Sequence, residues 1–146
     1  MDTHPDPPET SDDQPMTAAE FLSLRESLGL SDLWISQHLG VSERTVRHWE
    51  QGKYAVPSGV QDEMHRLEEY TEDVIDTYID DVEHKSSLVI RICRTDRDYR
   101  SAYPDSVFPA RWHRIVAQRV AQELRRLQIS NPRIEYAPQP ETRGDS

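Results

Sequence analysis

The stretch from Gly29 to Gly52, GLSDLWISQHLGVSERTVRHWEQG, holds two short helical patterns that meet at a tight turn. Ser31 can cap the first, whose Trp34, Ile35 and Leu39 recur at helical spacing and face inward. Gly40 supplies the turn, because a positive φ costs glycine little. Ser42 can cap the second, with Val46 and Trp49 on its inner face, and Gly52 stops it. Two helices joined this closely form a helix-turn-helix.

With Val46 and Trp49 turned inward, Glu43, Arg44, Thr45, Arg47, His48 and Gln51 lie outward or to the side. A helix of this kind enters the DNA major groove and reads base edges with its outward residues. Arg44 can bond guanine O6 and N7 together. Arg47 or His48, one turn on, can reach a second base or a phosphate, and Thr45 lies beside them. Glu43 can accept from a cytosine amino group and repels phosphate otherwise. Ser42 and the helix start at Ser31 offer hydroxyl and backbone N–H donors to phosphates, and Lys53 can meet the backbone.

Upstream, Thr17 with Glu20 forms a capping-box pattern, and Phe21, Leu24 and Leu28 give a first helix one buried face. Downstream, Pro57 opens a long fourth helix, Ser58 to about Lys85. Val60, Met64, Leu67, Thr71, Val74, Tyr78 and Val82 form its apolar stripe, with one polar gap. Such a helix is roughly 40 Å long, so its second half must pack on something beyond an N-terminal bundle. Ser87–Arg94 reads as a strand, Thr95–Pro104 as a polar loop, Pro109 to about Leu127 as an amphipathic helix, and Arg133–Tyr136 as a short final strand.

The expected fold is thus mainly α: a helix-turn-helix bundle with a long fourth helix, then a small α+β dimerisation domain. The expected boundaries are a disordered acidic tail at 1–15, a DNA-binding domain at 16–85, a dimerisation domain at 86–137 and a disordered tail at 138–146.

The net charge of −10 over 146 residues argues at first against nucleic acid. Its distribution argues otherwise. Residues 54–83 hold ten acids and one Arg, whereas residues 21–53 balance at four against four. The acid therefore sits away from the reading helix, and local charge sets phosphate affinity. One cysteine, Cys93, excludes an intrachain disulfide; with no signal-peptide pattern and no long apolar run, a cytoplasmic protein without membrane contact is expected. The six histidines show no ligand spacing with Cys or carboxylates, so no metal is expected. Paired acids such as Glu68-Glu69 and Asp80-Asp81 suit a solvated helix face better than acid–base catalysis. No phosphate loop or nucleophile motif occurs, so neither an enzyme nor a cofactor is expected. Tyr99 and Tyr103 beside Arg97 and Arg100 could stack on single-stranded bases such as RNA, set against an ordinary polar loop.

Leu24-Arg25, Gly29-Leu30-Ser31, Ile35, Leu39-Gly40-Val41-Ser42, Thr45-Val46 and Trp49-Glu50-Gln51-Gly52 stand in one register. In that register the sequence resembles the Xre/Cro-like helix-turn-helix family. The resemblance implies an ion pair, Arg25–Glu50, tying the first helix to the third. It also marks a departure. The family's phosphate-gripping Gln at the start of the second helix is Asp32 here, and an acid there should weaken that contact. Further on, WEQGKYAVPSGVQDEM (Trp49–Met64) resembles the YdiL-like group, which includes the anti-CRISPR-associated autorepressors of phages and mobile elements. The resemblance implies a repressor of its own operon.

One reading helix spans about half a turn of DNA, so a homodimer on an inverted repeat, with centres about 34 Å apart, is expected. The strand–helix–strand segment after residue 86 is the natural dimer-forming part. The alternative is an antitoxin-like interaction protein whose C-terminal half binds a protein partner.

Overall fold

A computed structural model describes residues 15–82 and 89–139 of the chain. The two expected disordered tails lie almost wholly outside the described residues, as do the end of the fourth helix near Lys85 and the strand start at Ser87. The described elements are α1 (Ala18–Ser27), α2 (Asp32–Leu39), α3 (Glu43–Glu50), α4 (Ser58–Val82), β1 (Val89–Ile92), α5 (Asp96–Ala102), α6 (Ala110–Arg126) and β2 (Arg133–Tyr136). The fold is mainly helical with one small sheet. It forms two compact units that part at Glu69 and Tyr70, inside α4.

The N-terminal unit is built by local capping. Thr17 closes α1 with the full capping box, its hydroxyl accepting from Glu20 N while Glu20 accepts from Thr17 N. Ser31 and Ser42 cap α2 and α3 through Trp34 N and Thr45 N. Gly40 stands at φ 73°, a left-handed backbone that an L side chain resists. Phe21, Leu28, Leu30, Ile35, Val46, Trp49 and Met64 are buried, with Phe21 edge-on to Trp49 at 5.8 Å. Trp34, expected inward, is only half-buried and stacks on His38 at 4.8 Å; Ser36 takes the buried place beside Ile35.

In the C-terminal unit the second half of α4 packs on α6. The polar gap in the α4 stripe is Thr71, fully buried, whose hydroxyl accepts from Trp112 Nε1 at 2.9 Å. Ile75 rather than Val74 is buried on that face. β1 and β2 pair in parallel, Ile90 opposite Ile134, with α5 and α6 between them in sequence. A parallel pair needs such a crossover, and α6 supplies it.

The segment expected as a loop, Thr95–Pro104, contains α5 instead. Thr95 accepts from Asp98 N, and Asp96 and Asp98 lie in the first turn, where acids favour a helix start. Asp96 also accepts from Ala110 N at 2.8 Å, so a side chain in the first turn of α5 satisfies the first amide of α6. The helix is seven residues long, too short for an apolar period to announce it. Tyr99 is its buried anchor, 2% exposed, so it is core rather than a stacking platform, and Tyr103 packs against Tyr99 and His113.

Candidate nucleic-acid interface

α3 buries Val46 and Trp49 and turns Glu43, Arg44 and Arg47 to solvent, with Thr45 and His48 half-buried. Arg44 and Arg47 are one turn apart on one face, and neither makes an ion pair among the described residues. Lys53 follows α3, exposed, its amide bonded to His48 O at 2.9 Å. The three cations act on His48. Its imidazole is held below its ordinary range first by partial burial, then by Lys53, Arg44 and Arg47. His48 therefore faces outward as a neutral ring that can give one hydrogen bond and take another.

Tyr54 was not singled out in the sequence. Its ring stands edge-on to His48 at 5.2 Å and is 56% exposed, so it both braces His48 and extends the exposed face. An aromatic just past a reading helix is the signal that could have found it.

Ser31 and Ser42 are exposed, and their oxygens accept the capping bonds from Trp34 N and Thr45 N at 3.0 and 3.1 Å. Capping uses a lone pair and leaves the O–H hydrogen, which at Ser31 is available to an outside acceptor. Ser42 Oγ also lies 3.0 Å from Thr45 Oγ1, so one of those two hydroxyls bonds the other.

Beneath this face, Arg25 is buried. Its Nε donates to Glu50 at 2.5 Å, and its Nη1 donates to the Leu30 carbonyl at 2.8 Å. The paired residues implied by the family pattern are thus in contact, α1 to α3. Asp32 joins them, 3.0 Å from the same Nε. Its Oδ1 is buried against that guanidinium, while the side chain as a whole is 24% exposed. Glu50 is raised above the usual carboxylate range by burial first, then by the neighbouring Asp32 carboxyl, against the pull of Arg25. At the far end of α2, His38 Nε2 meets Glu63 at 2.8 Å, and that bond holds the Glu63 carboxyl below its ordinary range.

Among the described residues no cluster of His, Cys, Asp and Glu could hold a metal ion, and no helix is long and apolar enough to cross a membrane.

A helix-turn-helix with an exposed, cation-bearing second helix, followed by an α+β unit, defines a class of regulators. The chain belongs to the Aca2/YdiL-like family, whose model matches residues 16–128, and this is a family of regulators. No curated protein matches the chain.

Proposed function

We propose that this protein is a sequence-specific transcriptional repressor, acting as a homodimer on an inverted-repeat operator and governing its own operon. The observation that carries the reading is the exposed face of α3. There Arg44 and Arg47, with Lys53 just beyond the helix, make no ion pair among the described residues, and the helix is fixed from behind by Arg25, Val46 and Trp49. Unpaired cations on an exposed helix are what phosphates and guanine edges require. Arg44, Arg47, His48, Thr45 and Glu43 read bases; Ser42, Ser31 and Lys53 seat the backbone; Arg25 and Glu50 hold the helices in register. Selection of bound sites from random DNA tests this, followed by light scattering and comparison of the selected site with its half. A monomer that binds the full site no better than the half-site sinks the repressor reading.

A second reading draws on the C-terminal unit. Val107 is 68% and Tyr70 51% exposed, and Tyr70 stacks on Phe108 at 5.5 Å. Large apolar side chains left open in this way favour a protein-binding unit, as in an antitoxin-like protein. Loss of half-site synergy together with a stable complex with a neighbouring gene's product would favour it.

A further inference from the structure

Arg25, Asp32 and Glu50 meet where α1, α2 and α3 come together. Arg25 Nε has one hydrogen, and it points to Glu50 Oε2. Asp32 Oδ1 lies 3.0 Å from that nitrogen, yet it is buried and receives no hydrogen bond among the described residues. One N–H of Arg25 Nη1 goes to the Leu30 carbonyl. Two carboxylates against one guanidinium also leave a surplus negative charge in a corner where the side chains of Arg25 and Glu50 are 11% exposed. A buried oxygen without a donor and an uncompensated buried charge are each costly. One proton removes both costs, because a hydroxyl on one carboxyl donates to the other.

The helices decide which carboxyl carries it. Asp32 is the first residue of α2, and Glu50 is the last of α3. A helix dipole favours an anion at its N-terminus and disfavours one at its C-terminus. The proton therefore belongs on Glu50, the carboxyl that burial and Asp32 raise above its ordinary range. The charged groups acting on Glu50 are Arg25 from α1 and Asp32 from α2.

We propose that Glu50 holds a proton and donates it in a hydrogen bond to Asp32, which makes Asp32 a proton-linked positioning residue for DNA binding. The coupling to DNA rests on the repressor reading, in which the first turn of α2 lies against phosphate. A surplus negative charge behind that turn opposes phosphate, and the protonated pair does not. DNA and the proton therefore favour each other, and affinity falls as pH rises through the titration of the pair.

Anisotropy titrations of the full chain with its selected DNA site, at constant salt between about pH 5 and 8, measure the coupling. The unaltered protein is expected to lose up to about tenfold in affinity per pH unit across the transition, the limit for one linked proton. Asp32→Asn supplies an amide N–H to Glu50 without any proton, and Glu50→Gln supplies one to Asp32. Each should flatten the profile, so either folded variant suffices. The histidines contribute alike to all three proteins, so the difference in slope is the readout. Carboxyl carbon NMR of the DNA-free protein gives the second readout: Glu50 should titrate above its ordinary range and drop in Asp32→Asn. Equal slopes in all three proteins, or Glu50 titrating at or below its ordinary range, overturn the proposal. If no DNA is bound at any pH, the DNA-binding reading fails and the coupling with it, while the NMR midpoint still decides the shared proton.

Discussion

Arg44 stands exposed on the first turn and a half of α3, with no internal partner among the described residues to compete for its guanidinium. A bidentate contact from such a side chain discriminates one base pair, whereas Lys53 presents a point charge on a flexible stem beyond the helix end. The two should separate by experiment. Arg44→Ala is expected to cost about 1–3 kcal/mol and to relax preference at one position per half-site. Lys53→Ala should weaken all sequences alike and reduce the salt slope by about one. Competition titrations with single-position variants of the selected site, repeated across salt concentrations, check both. A uniform loss for Arg44→Ala on every sequence would remove its base-reading role. His48 differs from both: partial burial first, then the cations around it, hold its imidazole below its ordinary range, so its contribution comes from hydrogen bonding and from contact with Tyr54.

Between elements, Arg25 is the piece on which α1, α2 and α3 depend. Replacing it with Met keeps an unbranched stem about as far as Nε but strands Glu50 and Asp32 without their cation. Removing one partner of a buried pair costs about 3–5 kcal/mol, so Arg25→Met should lower the stability of the N-terminal unit by that order, read from amide exchange at Val46 and Trp49 across a urea series. Gly40→Ala tests the turn separately. An added Cβ there meets nothing within 4 Å, so the whole cost is the left-handed backbone, about 1–2 kcal/mol. The turn glycine was legible in the sequence because capping residues and a helical period are local signals, whereas the Arg25–Glu50 pair was legible only through the resemblance to a helix-turn-helix family. Asp32 was legible only as an acid at an odd position, since its inward turn depends on Arg25, seven residues upstream and on another helix. α5 was hidden for a different reason. Its seven residues bury little besides Tyr99, and its start is capped by Thr95, with Asp96 in the first turn serving the distant amide of Ala110. Thr71 shows the same limit: a polar residue in an apolar stripe looks like a gap until Trp112 supplies its partner.

At the scale of the molecule, the acidic residues from Asp62 to Asp81 lie on α4, whose first half belongs to one compact unit and whose second half to the other. Chains with two compact units need not unfold in one step, so a probe confined to one unit is informative. His113 provides one in the C-terminal unit. It is 3% exposed, its Nε2 pairs with the Tyr78 hydroxyl at 2.9 Å, and its Nδ1 has no partner among the described residues. Burial lowers its pKa to about 4 and, on the other side of the bond, raises that of Tyr78 to about 12. The folded unit therefore refuses a proton that the unfolded chain accepts from its ordinary value of 6.5 downward. Above that value His113 is neutral in both states and the stability is fully present. As pH falls from 6.5 toward about 4 the unfolded chain binds the extra proton, and stability is lost. The shift corresponds to about 3 kcal/mol at its limit. His113→Gln should lower the stability at neutral pH yet remove most of the slope in that window, leaving the carboxylates to act below it. Urea unfolding of the full chain at a series of pH values, with C-terminal amide exchange as the probe of the unit, measures the slope. An unchanged slope in His113→Gln would show that the acid sensitivity of the C-terminal unit arises elsewhere.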